Sequence, residues 1–129
     1  MRVEVYWNLH KRKFSVRALE GNNRRRVIDH VYFLALNDVK FIVQPAGREK
    51  VRKEGKKNVH AFVRGKLAQL PPGDWPHGRF SGREVLYNPY MHNTFVDIDN
   101  KSPVHKANRV LLDVMLGTGK PYPRITALD

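Results

Sequence analysis

One short segment holds the residue types that metal-independent cleavage of RNA requires. Residues 59–64 alternate between apolar and polar positions, so His60 and Arg64 are predicted to share one face of a strand, and Lys57 lies just before it. A histidine can act as a general acid or base, and cations can stabilise the charge that develops on phosphorus. A half-exposed strand histidine that contacts phosphate or water is the favoured interpretation. The three residues therefore form an alternative catalytic group, not a firm one.

Cations that could bind phosphate are concentrated in three clusters. They lie in a predicted hairpin tip, in a turn, and in the stretch of residues 48–64. A nucleic-acid surface needs several such side chains to neutralise successive phosphates, and counterion release makes its affinity sensitive to salt. A solvated helix would explain one isolated cluster, whereas three clusters in one half of the chain favour binding. The candidate contacts are Lys11, Arg12, Lys13, Arg24, Arg25, Arg26, Arg48, Lys50, Arg52, Lys53, Lys56, Lys57 and Arg64.

The excess of positive charge is confined to one half of the chain. The 129 residues include 24 Lys and Arg and 12 Asp and Glu, which gives a formal net charge of +12. Residues 1–66 hold 17 basic and 6 acidic side chains, whereas residues 67–129 hold 7 and 6. Charge of one sign destabilises a small fold through self-repulsion, so a polyanionic partner is its natural explanation. We expect the basic half to be the contact surface and the near-neutral half to be scaffold.

Two further sets of residues allow both a functional and a structural interpretation. Tyr6 and Phe62 fall on the polar side of their predicted strands, where they could stack on bases or pack against a second layer. Asp97, Asp99 and Lys101 have the residue types of a magnesium-dependent nuclease, but a polar turn explains them better. The six histidines show no metal-ligand spacing. We therefore predict no metal site.

The composition limits the class of protein. The chain has no cysteine, which excludes disulfides and thiolate metal sites and fits a reducing compartment. No apolar run approaches the roughly 20 residues that a membrane span needs, and the alternating start is unlike a signal peptide. We expect a cytoplasmic protein of one domain, residues 1–129, with no membrane segment and no cofactor.

The hydrophobic pattern predicts a strand-rich fold. Strands are predicted over residues 3–8, 13–18, 39–43, 59–64, 85–88, 94–98 and 125–127. The runs at 31–36 and 109–116 are compatible with a strand or a short helix, and Asn37 and Asp38 are predicted to end the first run. A surface helix is predicted over residues 46–54, because Pro45 suits its first turn and Gly55 its end. Residues 70–82, rich in Pro and Gly, are predicted to form a long ordered loop. The fold class predicted is α+β, a mainly antiparallel sheet with one or two short helices.

Four segments resemble small uncharacterised bacteriophage proteins. They are KNVHAFVRG at residues 57–65, YNPY at 87–90, TFV at 94–96 and PVHKA at 103–107. The resemblance implies a phage protein that acts in the cytoplasm of a bacterial host, and it implies no activity. A weaker likeness, a surface helix followed by a strand that contains a histidine, is to the barnase–colicin–RelE class of small ribonucleases.

Three hypotheses of function follow from the sequence. The first is a basic module that binds DNA or RNA through phosphate contacts of residues 1–66. The second is a small metal-independent ribonuclease centred on His60 and Arg64. The third is an inhibitor whose basic face covers an acidic host protein.

Overall fold

The computed structural model describes residues 1–69, 82–115 and 119–128. Within these residues the chain forms nine strands and one helix, with 54% of residues in strands and 9% in the helix. The elements are β1 (Arg2–Asn8), β2 (Lys13–Ala18), β3 (Val27–Val31), β4 (Phe33–Val43), α1 (Pro45–Glu54), β5 (Ala61–Ala68), β6 (Arg83–Leu86), β7 (Val96–Asp97), β8 (Lys106–Met115) and β9 (Tyr122–Leu128). No helix in this part of the chain is long and apolar enough to cross a membrane.

The strands form one sheet in the order β3-β2-β1-β5-β4-β8-β9-β6-β7, and all neighbouring strands pair antiparallel. The α+β prediction is therefore wrong, and the fold is mainly β. The run at residues 109–116 explains part of the error, because β8 lies between β4 and β9 and bonds to both. A short apolar run buried between two strands has the same composition as a buried helix. Only its neighbours decide between the two.

Strand β4 continues through the position where the sequence predicts a break. Asp38 takes a left-handed backbone conformation with φ of 52°, and the register with β5 shifts between Asn37 and Lys40. This bulge absorbs the irregular residues without ending the strand. Gly65 of β5 faces the bulge, and a Cβ there would lie 2.8 Å from the carbonyl oxygen of Asn37. The predicted break at residues 37–38 is therefore wrong.

Two local predictions in the first half of the chain, the hairpin and the surface helix, are confirmed. β1 and β2 form a hairpin, and residues 9–12 make its tip. Helix α1 begins with Pro45 at its first turn and ends before Gly55, which has a φ of 65°. Gly47 is the one buried residue of this helix, so α1 lies on the surface as predicted. The predicted loop at residues 70–82 lies outside the described residues except for Gly82.

The main core lies on one face of the sheet. Its members alternate along the strands, from Val3 and Val5 in β1 to Val110 and Leu112 in β8. The sheet curls: β5 and β6 are not neighbours in it, yet Tyr87, just after β6, is hydrogen-bonded to His60, just before β5. Phe95 joins the same cluster. The side chains of the opposite face form the site described next.

Candidate nucleic-acid interface

Five charged side chains cross five neighbouring strands in one row. The direct cross-strand partners run from Arg17 in β2 to Glu4 in β1, Arg64 in β5, Lys40 in β4 and Lys106 in β8. Residues directly opposite each other in a sheet project from the same face, so these side chains are neighbours. Four are cations and one is an anion. We call these five residues the basic row.

The single anion of the row holds two of its cations. Glu4 is 4% exposed, and its carboxylate accepts hydrogen bonds from Arg17 Nη1 at 3.3 Å and from Arg64 Nε. The two guanidinium groups stay 31% and 39% exposed. A buried carboxylate under two partly exposed cations fixes their positions while leaving a net positive surface. Glu4 therefore holds Arg17 and Arg64 in the folded protein, and the row keeps an excess of four cations over one anion.

The two lysines at the other end of the row form no ion pair within the described part of the chain. Lys40 and Lys106 are exposed, lie directly opposite each other, and form no ion pair there. Like charges placed opposite each other in a sheet destabilise it. Beside them, Arg83 joins Lys40 and Lys106 in lining a cavity of about 400 Å³, with Asp38 on its wall. This end of the row therefore carries more positive than negative charge.

The middle member of the row, Arg64, also lines a cavity formed mainly by arginines. Arg2, Arg24, Arg25 and Arg64 surround about 290 Å³ together with Leu19. Among the described residues no acidic side chain lines it. We call these four arginines the arginine cleft. Because Arg64 belongs to both, the cleft and the row form one continuous basic surface.

Arg25 reaches the cleft from a costly backbone conformation. The turn between β2 and β3 is closed by a hydrogen bond from Arg25 N to Ala18 O at 2.7 Å, and Arg25 has a φ of 69°. Left-handed backbone costs an L-residue roughly 1–2 kcal/mol, a cost that glycine avoids. Arg12 in the hairpin tip has the same kind of conformation, with a φ of 53°. At position 25, an arginine that lines the cleft is kept despite this cost.

The structure brings together only part of the predicted contact residues. Arg24, Arg25 and Arg64 meet in the cleft, whereas the hairpin tip lies at the opposite end of β1 from Arg2. In the tip, the ammonium of Lys13 lies 4.7 Å from the ring centre of Tyr32. Arg26 follows Arg25 but does not line the cleft. The predicted clusters therefore do not form one surface.

The cations of α1 lie at the same end as the hairpin tip, because α1 connects the end of β4 to the start of β5. Arg52 and Lys53 both bind Glu49, at 3.2 and 3.3 Å. Lys56 lies 3.7 Å from Glu54. The hydrogen bond from Lys53 is the main cause that lowers the pKa of Glu49 below 4.5. The other predicted cations of this stretch are Arg48, 3.8 Å from Glu49, and Lys50 and Lys57.

His60 lies away from this surface and is enclosed. It is 7% exposed, and its ring nitrogens contact Asn58 O and Tyr87 Oη, both at 2.8 Å. A Cβ on Gly47 would lie 2.7 Å from the Cβ of His60, so α1 packs directly on it. Burial raises the pKa of the Tyr87 hydroxyl. With both nitrogens occupied, His60 joins α1 to the end of β6, and this geometry does not favour catalysis.

Arg64 is separated from His60 along β5. Four residues of extended strand span roughly 13 Å, and the Arg64 guanidinium is held by Glu4. Lys57 is exposed before the strand. The three residues of the catalytic alternative therefore do not come together around one reactive group.

The acidic segment near β7 is a turn, as the favoured interpretation predicts. Asp97 is 4% exposed, and its Oδ1 accepts hydrogen bonds from the backbone N–H of Asp99 at 2.8 Å and of Asn100 at 3.4 Å. Lys101 Nζ donates to Ile98 O. A side chain that closes its own turn is ordinary turn chemistry. In the described ranges no group of three or more His, Asp or Glu side chains is placed to hold a metal ion.

The aromatic pair is only partly available for stacking. Phe62 is 3% exposed and meets the Tyr6 ring edge to face at 6.4 Å. The Arg17 guanidinium lies 5.5 Å from the Tyr6 ring centre. Phe62 therefore packs as a core residue, and Tyr6 supports an arginine of the row.

Several residues of the surface were missed by the sequence prediction. They are Arg2, Arg17, Lys40, Lys106 and Arg83. Each is a single cation outside a cluster, and the last two lie in the half that was predicted to be scaffold. The alternation around Lys40, between Val39 and Phe41, indicates its face. The sequence contains no signal for the strand that lies opposite.

Known proteins similar to this chain come from bacteriophages. The family model described as Mycobacterium phage L5 gene 82 protein matches residues 1–116, which include the basic row and the arginine cleft. The Gene 82 protein of Mycobacterium phage L5 is 42% identical over 118 residues, covering 87% of this chain and 90% of that protein. No solved structure is significantly similar. These matches do not support the likeness to small ribonucleases, and they confirm the resemblance to phage proteins. The chain belongs to the bacteriophage family of the Mycobacterium phage L5 gene 82 protein.

Proposed function

We propose that this protein binds nucleic acid through backbone phosphates, in the cytoplasm of the bacterial host, with weak sequence preference. The observation that carries the proposal is the basic row. Arg17, Arg64, Lys40 and Lys106 stand on one face of four strands, and the one anion of the row, Glu4, is buried between Arg17 and Arg64. A polyanion is the partner that this arrangement suits.

The dimensions of the row support several simultaneous phosphate contacts. Neighbouring strands lie about 4.8 Å apart, so the row from β2 to β8 spans roughly 19 Å. Arginine adds bidentate hydrogen bonds to phosphate at one end, and lysine adds mobile point charges at the other. Each contact releases counterions from the nucleic acid, so affinity must fall steeply as salt rises. Contacts to phosphates alone carry no direct information on base sequence.

The proposal is tested by measuring affinity against salt for charge-neutral variants. Labelled single strands and duplexes of DNA and RNA are titrated with protein by fluorescence anisotropy between about 50 and 200 mM salt. Lys40→Gln and Lys106→Gln should each weaken binding and lower the slope of log K against log salt by about one. Lys53→Gln, which removes the same charge from α1 where Lys53 already binds Glu49, is the matched control and should change little.

Two outcomes would overturn the proposal. One is undetectable binding of every nucleic acid at low salt. The other is an equal loss of affinity in all three variants, because net charge and not the row would then be responsible. If no nucleic acid binds and an acidic host protein is retained from a nuclease-treated lysate, the inhibitor hypothesis replaces this one.

A further inference from the structure

The arginine cleft concentrates more charge than one internal phosphate can neutralise. Four arginines line about 290 Å³, whereas the row presents one charged side chain per strand. Among the described residues no carboxylate lines the cleft, and Glu4 binds Arg64 from beneath the row. An internal phosphodiester carries one negative charge. The cleft therefore suits a group that carries more negative charge and more acceptor oxygens than an internal phosphodiester.

We propose that the arginine cleft binds the terminal phosphomonoester of a nucleic acid strand, a step that rests on the proposed function. A terminal phosphate carries about −1.5 to −2 charge at pH 7 and three strong acceptor oxygens. Planar guanidinium groups bind such oxygens in pairs, and several can do so at once. The following phosphodiesters lie along the row, from Arg64 toward Lys40 and Lys106.

The charges on the two sides of Arg64 favour one direction for a strand whose end lies in the cleft. Arg64 links the cleft to the row, which continues across β4 to β8. On the other side of the hairpin lies β3, the edge strand, which begins with exposed Val27 and Ile28. From Arg64 the row runs to Arg17 by way of the Glu4 carboxylate and to Lys106 by way of Lys40, so the following phosphates meet an anion on the first side and only lysines of the row on the second.

The conformation of Arg25 supports the same site. It keeps a bulky side chain at a left-handed position of the turn, and that side chain lines the cleft. Asn tolerates this backbone conformation and carries no charge. Arg25→Asn therefore removes a cleft cation at a position where the fold accepts the change. Arg12→Asn makes the same change at the left-handed position of the other turn, and Arg12 is not among the residues that line the cleft.

The experiment compares one oligonucleotide with different ends. A single strand is prepared with a 5′-phosphate, a 3′-phosphate or hydroxyl groups at both ends, and its affinity for the full chain is measured by fluorescence anisotropy. The wild-type protein should bind at least one phosphorylated form about tenfold more tightly than the hydroxyl form, as expected for charge-assisted hydrogen bonds. The two phosphorylated arms identify which end enters the cleft.

The variants separate the cleft from total charge. Arg25→Asn should reduce the tenfold preference to near unity, whereas Arg12→Asn should keep it. Lys106→Gln should weaken all three oligonucleotides by the same factor. Equal affinity of all three for wild-type protein, or loss of the preference in both arginine variants, would overturn the inference while leaving the proposed function intact. Failure of all three to bind would instead overturn the proposed function.

Discussion

The two ends of the β1–β2 hairpin are both rich in cations, yet the surroundings of those cations differ. At the helix end, Arg52, Lys53 and Lys56 bind carboxylates of their own helix. At the cleft end, one buried carboxylate, Glu4, lies beneath Arg17 and Arg64, and the arginine cleft has no acidic lining within the described residues. The helix end is the denser cluster in the sequence. The comparison teaches that counter-charge placement, and not cation density, sets how much net positive charge a surface keeps.

The largest effect is expected from Glu4→Gln, which removes the anion that organises the cleft end. Arg17 and Arg64 would lose their buried partner, and we expect the free energy of unfolding to fall by about 2–3 kcal/mol. Nucleic-acid affinity should rise, by on the order of 1 kcal/mol at low salt, because the row gains net charge. Urea unfolding and anisotropy measure the two changes. Glu54→Gln at the helix end is the control, and lower affinity in Glu4→Gln would contradict this account.

The next largest effect is expected from removing the His60 side chain, which tests whether His60 stabilises the fold. His60→Ala removes two hydrogen bonds and a buried ring, so we expect a loss of about 2 kcal/mol in unfolding free energy. Affinity for nucleic acid should stay unchanged under conditions where the variant is folded. RNA incubated with wild-type protein in EDTA should remain intact. Cleavage by the wild type that disappears in His60→Ala would restore the ribonuclease hypothesis.

A smaller effect of opposite sign is expected for glycine at the left-handed turn positions. Arg25→Gly and Arg12→Gly should each raise the free energy of unfolding, by at most about 1 kcal/mol, because glycine relieves the backbone cost. Thermal unfolding should therefore show a slightly higher midpoint for each variant. Only Arg25→Gly should weaken nucleic-acid binding. A loss of stability in Arg25→Gly would show that the side chain serves the turn itself.

The smallest effect concerns the pH dependence of the helix end. The folded pKa of Glu49 lies below its ordinary value of 4.5, mainly because Lys53 donates a hydrogen bond to it. Its contribution to stability is therefore present above pH 4.5 and is lost as the pH falls through the lowered pKa. Glu49→Gln should flatten this acid-side dependence slightly in urea unfolding at pH 3 to 6. An unchanged profile would mean that the carboxylate is fully screened by solvent.

Local features of the fold were predictable from the sequence, and nonlocal ones were not. The β1–β2 hairpin and helix α1 depend on alternation and on Pro45 and Gly55, which act within a few residues. The run that became β8 was ambiguous, since an apolar run does not specify its neighbours. The sequence predicts a break at Asp38, because such a residue disrupts an isolated strand. In the folded protein, pairing with β5 and β8 on both sides lets β4 absorb it as a bulge.

The candidate site shows the same division. Clustering in the sequence predicts Arg24, Arg25 and Arg64 as contact residues. Lys40 and Lys106 are single cations, and nothing in the sequence around them predicts that they lie beside the others. Their importance comes from being opposite one another, and residues 40 and 106 are brought together only by strand pairing. Long-range register cannot be read from one sequence. The catalytic alternative for His60 fails for a related reason. The burial of His60 depends on Gly47 and Tyr87, which belong to other parts of the chain.

By itself the sequence determined the strand-rich character, the surface helix and the asymmetric positive charge, because these depend on residue type and local spacing. The resemblance to phage proteins was also present in short segments of it. Only the tertiary structure decided which cations act together. Pairing of β2, β1, β5, β4 and β8 aligned side chains far apart in the chain into one row and placed Glu4 beneath it. The physical reason is that cooperation between charges depends on distance in space, which register and curvature set after the chain has folded.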